Sequence, residues 1–257
     1  MTSLRIEQML FISDLHLSPT RPRITSLFLL FLQERARGTA ALYILGDLFD
    51  CWVGDDDPTP PRMQVIKGLR QLADAGTKVN IVQGNRDFLL AERFARECGA
   101  QIINDNTVID CNGEPTLLMH GDLLCTDDKV YQEFRELSRS VQWQTSVLSK
   151  PLWLRLTLAR WYRFKSYLHK HQQSTDIMDV NVETVWQYAN EHAVSQLIHG
   201  HTHRPGYNAM IENNLTLKRY VLGAWGNTAR ILAVDANGLR FEQISLNTDC
   251  ELNCKII

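Results

Sequence analysis

The chain has 257 residues and a formal net charge of −2, a length that buries one large core and leaves room for an insertion. The near-neutral balance provides no basic footprint for nucleic acid, so we expect no nucleic-acid partner. The six cysteines lack paired spacing, which favours a reduced, cytosolic setting. No apolar run approaches the ~18 residues of a membrane span, so the protein is expected to be soluble or peripheral.

Strand-like and helix-like segments alternate in the first part of the chain. The apolar periodicity predicts, in order, strand 9–13, helix 24–38, strand 42–45, helix 63–72 and strand 78–82. The acidic loop 54–58 is interpreted as a solvated turn, with an entrance to a site as the alternative. The short apolar run at the start is better explained as the first strand than as a signal-peptide core.

The second part is richer in strands. The same patterns predict helix 88–98, strands 101–110 and 115–119, a helix capped by Thr126 or Asp127, helix 180–192 and strands 196–198, 219–223, 231–235 and 239–245. Residues 126–175 are expected to form a helical insertion, or lid, within a single domain spanning 1–257. The fold class predicted is α/β, a four-layer αββα sandwich of two mixed sheets with helices on the outer faces.

Five of the predicted strands end in residue types that bind metal ions. These ends are Ser13-Asp14-Leu15-His16, Gly46-Asp47-Leu48-Phe49-Asp50, Gly84-Asn85-Arg86-Asp87, Met119-His120-Gly121-Asp122 and His199-Gly200-His201-Thr202-His203. Sheets covered by helices place their ligands at the carboxyl ends of strands. We therefore expect the five turns to meet at one edge, with Asp47 at the centre.

Each motif has an ordinary structural explanation when it is taken alone. Asp14 would be a cap or turn residue, Asp47 and Asn85 turn residues, and His120 a hydrogen-bonded strand end. The His-x-His-x-His run at 199–203 is more informative, because alternation on an extended strand would put all three rings on one face, although Gly200 indicates that the chain is already turning there. Together, the five motifs favour a two-metal phosphoester site in which one carboxylate bridges both ions.

The five motifs, taken in order, resemble those of the calcineurin-like metallophosphoesterases. The resemblance spans residues 14–203 and implies two metal ions, held by Asp14, His16, Asp47, Asn85, His120, His201 and His203. It leaves His199 as a structural residue or one that contacts a ligand. Nitrogen and oxygen donors suit Mn²⁺, Zn²⁺ or Fe²⁺, and the Asn and Asp residues favour Mn²⁺, so two Mn²⁺ per chain are expected.

Arg86 departs from the family pattern, since most members have His at this place. Together with the Asp127-Asp128 and Ile177-Met178-Asp179-Val180 segments, it resembles the branch of the family that acts in lipid A assembly. That resemblance implies Mn²⁺-dependent hydrolysis of UDP-2,3-diacylglucosamine to UMP and 2,3-diacylglucosamine 1-phosphate, by attack of a metal-bridging hydroxide on the uridine-side phosphorus. It implies catalytic roles for Asp47, Asn85 and Arg86. The implied substrate contacts are Asn85, Arg86, Asp128, Ser166, Lys170, Gln173 and His201, of which Gln173 departs from the pattern because relatives usually have a basic residue there.

Residues 150–171 are basic and aromatic, with six Lys or Arg and no Asp or Glu. Such a segment can lie at an anionic membrane surface and line an acyl groove, although a helical hairpin packed on the core is the alternative. With the resemblance, this predicts a monomer that is peripheral on the cytoplasmic face of the bacterial inner membrane. Two rival functions remain open: a soluble phosphodiesterase or dinucleoside polyphosphate hydrolase, and a non-catalytic scaffold.

Overall fold

Two β-sheets form the centre of the molecule. The computed structural model describes residues 8–170, 179–247 and 251–257, and the side chains of all of these except 164–170. A seven-stranded sheet has the order β12-β11-β10-β1-β2-β3-β4, and a five-stranded sheet has the order β5-β6-β7-β9-β8. The strands are β1 Met9–Ile12, β2 Ala41–Leu45, β3 Lys78–Val82, β4 Ala100–Ile102, β5 Thr107–Cys111, β6 Glu114–Met119, β7 Gln196–His199, β8 Gly206–Glu212, β9 Leu215–Val221, β10 Thr228–Asp235, β11 Gly238–Leu246 and β12 Leu252–Ile256.

Helices cover the outer faces of both sheets. The described α-helices are α1 Pro22–Leu30, α2 Arg62–Asp74, α3 Glu92–Cys98, α4 Lys129–Arg139, α5 Val141–Leu148, α6 Leu152–Lys170 and α7 Val182–Glu191. α1 continues directly into a π-helical turn, Phe31–Ala36. No helix in the described ranges is both long and apolar enough to cross a membrane.

Alternation along the strands separates the core into three apolar layers. Leu10 and Ile12 of β1 pack against α1, α2 and α3, whereas Phe11 faces the second sheet. A third layer joins the outer face of the second sheet to Val185 and Ala189 of α7. The order is therefore helices, sheet, sheet, helix, and the predicted four-layer αββα sandwich is confirmed.

Parallel pairing brings the strand ends together. β1, β2 and β3 are parallel neighbours in the first sheet, and β6 and β7 are parallel neighbours in the second. The carboxyl ends of parallel strands lie at the same edge of a sheet. These are the five strands that precede the five candidate ligand turns.

Several predicted boundaries were wrong. Segment 101–110 is not one strand, because it leaves the first sheet as β4 and enters the second as β5. Strands β8 and β12 were not predicted. The first helix of the insertion is capped by Asp128, whose carboxylate accepts a hydrogen bond from the backbone N–H of Tyr131, rather than by Thr126 or Asp127. The described part of the insertion contains three helices, α4 to α6; its boundaries at 126–175 stay a prediction.

The acidic loop 54–58 is a packed junction, so its interpretation as a solvated turn was wrong. The Asp55 carboxylate accepts hydrogen bonds from Trp52 Nε1 at 3.0 Å and from the backbone N–H of Ala91 and Phe94 at 3.2 and 2.8 Å. The buried Arg62 guanidinium donates to three carbonyl groups of the same loop and lies over the Trp52 ring. The loop thereby holds the start of α3 against the core.

Replacing Asp55 with Asn should destabilise the fold. The amide offers one acceptor oxygen in place of two, so at least one of the three N–H donors loses its partner. Hydrogen bonds to a charged group contribute about 1.5–3 kcal/mol each, and a loss of that size in the free energy of unfolding is expected in urea titration. The control is Asp74→Asn, which removes an exposed ion pair with Arg70 and should change stability little. Equal effects of the two substitutions would contradict this role.

Candidate metal centre

Three predicted ligands from opposite ends of the chain form a first cluster. His16 Nε2 lies 3.1 Å from His203 Nε2, and His203 Nε2 lies 3.2 Å from Asp14 Oδ1. Donor atoms of these three residues all lie within 4.8 Å of one another. Such a spacing allows one ion to be held between them.

A second cluster forms beside the first. Asn85 Oδ1 lies 3.0 Å from His120 Nε2 and 3.2 Å from His201 Nδ1. His120 Nδ1 is 2.9 Å from the carbonyl oxygen of Leu45. Because a ring N–H donated to a carbonyl fixes the tautomer, Nε2 is the nitrogen that faces the cluster, and its lone pair becomes available to an ion once its proton is released.

Asp47 lies between the two clusters. One of its oxygens, Oδ2, is 3.7 Å from His16 Nδ1, and the other, Oδ1, is 3.8 Å from His120 Nε2. Asp47, Asp14 and His120 also form a group of donors within 4.8 Å. The structure thus brings all seven predicted ligands together, with one carboxylate that can contact two ions.

The backbone is strained where these donors sit. Positive φ angles occur at Asp14, His16, Asp47, His201 and His203, between 50° and 68°. Left-handed backbone is unfavourable for residues with a Cβ, and such strain concentrates at functional sites. Of the two interpretations of the three histidines, the turn indicated by Gly200 is the one observed: β7 ends at His199 and the chain bends before His201 and His203, so the three rings do not alternate along one strand.

Unpaired buried donors fit a metal ion. Nδ1 of the buried His16 has no hydrogen-bond partner among the described residues, and Oδ1 of the fully buried Asp14 makes no regular hydrogen bond there, with only the His203 ring, another predicted ligand, at 3.2 Å. Buried polar atoms normally have a partner, and those without one call for an explanation. Ligation of a divalent cation would satisfy both atoms.

The pKa values of the donors also fit a cation site. Burial, reinforced by the Arg86 charge, lowers the pKa of His16 to about 3, so this ring is neutral at pH 7. Burial raises the pKa of Asp47 to about 7. Burial lowers the pKa of His120, but the facing Asp47 and Asp122 carboxylates outweigh this and raise it to about 9. Without an ion, therefore, protons occupy part of the site.

A buried carboxylate outside the donor set fixes the turns after β2 and β3. Asp87 accepts hydrogen bonds from the backbone N–H of Gly84, Phe49 and Asp47, at 2.8, 3.1 and 3.3 Å. Gly84 leaves the room for this approach, since a Cβ there would lie 2.2 Å from the Asp47 nitrogen. Asp87 thus holds Asp47 and Asn85 side by side.

A second supporting network lies behind the two histidines of the second cluster. Tyr131 and Arg135, one turn apart on α4, both donate to Asp122 Oδ2, at 2.5 and 2.8 Å. Arg135 also reaches Asp105, which accepts the backbone N–H of His120, and the Tyr131 ring stacks on His201 with centroids 6.1 Å apart. The sequence reasoning missed these α4 contacts, although the i, i+4 spacing of the two side chains was available as a signal.

The remaining predicted site residues have different positions. The Arg86 guanidinium faces the centre, with Nε 3.7 Å from Asp47 Oδ2 and Nη1 3.1 Å from Asp50 Oδ1. Asp128 caps α4. His199 is fully buried, with Nδ1 near the carbonyl of Gly200, and belongs to neither donor group. The side chains of Ser166 and Lys170, and all of Gln173, lie outside the described residues.

Comparisons with known proteins agree with this arrangement. Residues 8–205 match the family model described as calcineurin-like phosphoesterase. The chain is 44% identical over 243 residues to a protein of Stenotrophomonas maltophilia named UDP-2,3-diacylglucosamine hydrolase, covering 92% of this chain and 98% of that protein. A protein of the same name from Aromatoleum aromaticum is 47% identical over 229 residues, covering 89% and 94%.

Metal binding should release protons, and more of them at lower pH. At pH 6 both Asp47, with a pKa of about 7, and His120, with a pKa of about 9, are protonated before an ion enters; at pH 8 only His120 is. Ligands must lose these protons to bind a cation, so the apparent Mn²⁺ affinity should rise with pH across this window. Calorimetric titration with Mn²⁺ in two buffers of different ionisation enthalpy measures the proton count.

The matched control for this titration is Glu92→Gln, which alters an exposed carboxylate on α3 and should leave the proton count unchanged. An equal number of protons released at pH 6 and pH 8 would contradict the raised pKa of Asp47.

Proposed function

The chain belongs to the calcineurin-like phosphoesterase family, and we propose that it hydrolyses the pyrophosphate bond of UDP-2,3-diacylglucosamine. The products would be UMP and 2,3-diacylglucosamine 1-phosphate, which is an intermediate of lipid A biosynthesis. The metal cofactor would be Mn²⁺. The observation that carries this proposal is the position of Asp47 between two donor clusters. It is supported by the relatives named UDP-2,3-diacylglucosamine hydrolase, which match this chain over nearly their whole length. A non-catalytic scaffold would have no physical need for such a set of donors.

The seven donors would hold two divalent ions, with Asp47 shared. Asp14, His16 and His203 would complete the first ion's protein ligands, and Asn85, His120 and His201 the second's. When bound, the ions supply Lewis acidity for the phosphoryl oxygens and a water of lowered pKa as the nucleophile. Substrate binding and the stabilisation of developing charge would be carried out by side chains of the protein.

Arg86 would stabilise charge and transfer no proton. Its planar guanidinium fork can bind two phosphoryl oxygens as charge develops on them. Its position beside Asp47, with the backbone N–H of Arg86 donating to Asp47 Oδ1 at 2.9 Å, supports that role. The nucleophile would attack the uridine-side phosphorus in line with the departing lipid phosphate, which needs little protonation to leave.

We place the substrate between this centre and the insertion. Asn85, Arg86 and His201 line the centre, and Asp128 begins α4 above it. Ser166 and Lys170 on α6, with Gln173 beyond it, are proposed to contact the substrate on the strength of the family resemblance. Aromatic contacts offer an apolar lining: Phe134 of α4 packs against Trp143 and Tyr162, and Trp143 packs against Phe88 of the core.

Exposed apolar side chains of the insertion support a membrane-surface role. In its described part, five large apolar side chains are more than half exposed: Val130, Leu137, Val141, Trp153 and Trp161. An exposed apolar surface next to basic residues suits the interface of an anionic bilayer. We propose that the protein is a monomer bound peripherally to the cytoplasmic face of the inner membrane, where it meets its lipid substrate.

Substitutions at Asp47 and Arg86 should separate metal binding from rate. Asp47→Ala removes the shared carboxylate and should lose both bound Mn²⁺ and activity. Arg86→Ala removes transition-state stabilisation and should keep Mn²⁺ while lowering kcat by about 10²–10³-fold. Manganese content by atomic absorption and kcat for UMP release test both. An active Asp47→Ala protein without metal would refute the two-metal mechanism.

The acyl chains should matter for the substrate. In detergent micelles with Mn²⁺, UMP should be released from UDP-2,3-diacylglucosamine, and a chelator should abolish the release. UDP-glucosamine without acyl chains should be hydrolysed far more slowly, because it cannot use the apolar lining of the insertion. Equal rates for the two compounds would favour a soluble nucleotide phosphodiesterase instead.

A further inference from the structure

One carboxylate is shared by two guanidinium groups that come from different parts of the molecule. Asp50 Oδ1 lies 3.1 Å from Arg86 Nη1, at the metal centre, and Asp50 Oδ2 lies 2.5 Å from Arg163 Nη1, on helix α6 of the insertion. The Asp50 side chain is 19% exposed, against 29% for Arg86 and 45% for Arg163. Asp50 is therefore the least exposed member of a row of three charged side chains that links α6 to Arg86.

Backbone hydrogen bonds join the segment around Asp50 to neighbouring segments of the core. The Asp50 backbone N–H donates to the carbonyl of Leu17 at 3.1 Å, and the N–H of Trp52, two residues on, donates to the carbonyl of Arg86 at 3.1 Å. The segment that carries Asp50 is thus bonded to the segment that carries Arg86. A shift of the Asp50 carboxylate therefore changes the position of the Arg86 guanidinium that is paired with it.

Helix α6 is anchored separately near its start. Arg155 is 4% exposed and donates to the carbonyl of Val53 at 2.5 Å and to Asp56 Oδ1 at 2.8 Å. Gly54 makes this approach possible, because a Cβ there would lie 2.3 Å from Arg155 Nη1. The N-terminal half of α6 is consequently fixed whether or not the Asp50 contact forms.

Arg163 lies eight residues after this anchor, about 12 Å along the helix at 1.5 Å per residue. Its contact with Asp50 therefore ties α6, beyond the Arg155 anchor, to the segment that carries Asp50. An ion pair with a half-exposed partner is weak and reversible. It can release and re-form as a substrate enters and a product leaves.

We propose that Asp50 is a positioning residue that makes the placement of Arg86 depend on the docking of helix α6. This inference rests on the proposed function in one respect, that Arg86 binds developing phosphoryl charge. With α6 docked, Arg163 holds Asp50, and Asp50 holds the Arg86 fork towards the reacting phosphate. With α6 undocked, Asp50 has a single guanidinium partner and draws Arg86 towards itself.

A small substrate separates this coupling from direct contact of α6 with the lipid. Bis(p-nitrophenyl) phosphate carries no acyl chain or uridine that could reach α6. We expect Asp50→Asn and Arg163→Gln each to lower kcat for this compound roughly tenfold, as for loss of a charged hydrogen bond, with KM and manganese content little changed. The double variant should be no slower than the slower single variant, because both act on one group.

The matched control is the exposed pair Arg70 and Asp74 on α2. Arg70→Gln and Asp74→Asn remove an exposed Arg–Asp ion pair that contacts none of the predicted metal ligands and should leave kcat unchanged. Hydrogen–deuterium exchange gives a readout independent of activity: peptides from α6 should exchange faster in Asp50→Asn and Arg163→Gln, by the same factor, and at the wild-type rate in the controls.

Two results would overturn the proposal. One is an Arg163→Gln protein that is slow only with the acylated substrate, which would mean that Arg163 acts by touching the lipid. The other is an additive loss in the double variant. Should Asp50→Asn not fold, the effect of Arg163→Gln on the small diester decides alone. A wild-type protein that cleaves the diester and not UDP-2,3-diacylglucosamine would refute the proposed substrate. The comparison of the single and double variants on the diester would still test the coupling between Asp50 and Arg163.

Discussion

The candidate centre depends on the buried carboxylate of Asp87. Two strands of a parallel sheet end next to each other, but their turns would diverge unless something joined them. Asp87 joins them by accepting three backbone N–H groups from the turns after β2 and β3, and Gly84 permits the close contact. Burial raises the pKa of this carboxyl, so its hydrogen bonds have to offset a desolvation cost. The placement of Asp47 therefore depends on the Asp87 hydrogen bonds outweighing the cost of burying the Asp87 carboxylate.

The seven donor residues are energetically unfavourable where they lie, and the stability of the rest of the fold compensates for them. Five of them have left-handed backbone, and two carboxylates, Asp14 and Asp47, are buried close together. Because the folded state raises the pKa of Asp47 from 3.8 to about 7, the metal-free protein binds this proton more tightly than the unfolded chain does, and its stability falls as the pH rises through that interval. Cations would replace the protons and relieve the repulsion. Strain and charge thus favour occupancy by metal.

The strand ends were predictable and the contacts between distant segments were not. Apolar runs that stop at Asp47, Asn85 or His120 indicate turns at one sheet edge, because parallel strands share their direction. Nothing local in the sequence shows that segment 101–110 divides between two sheets, since both halves have strand-like composition. The Asp55 junction and the Asp50–Arg163 pair were missed for the same reason: an acidic loop has the same composition whether it meets water or buried N–H groups. The roles of the seven donors stay predictions, whereas their proximity is observed.

The structure changes how the charge of the insertion should be counted. Sequence alone assigns the basic residues of 150–171 to a membrane surface, but Arg155 and Arg163 are paired with Asp56 and Asp50 of the core. At about 1 kcal/mol per basic residue near an anionic surface, these two add less to binding than their number implies. Affinity for a bilayer would then depend more on exposed apolar groups such as Trp153 and Trp161. Arg155 and Arg163 thus join the insertion to the core, and under the proposed membrane role the exposed tryptophans would be the groups that contact lipid.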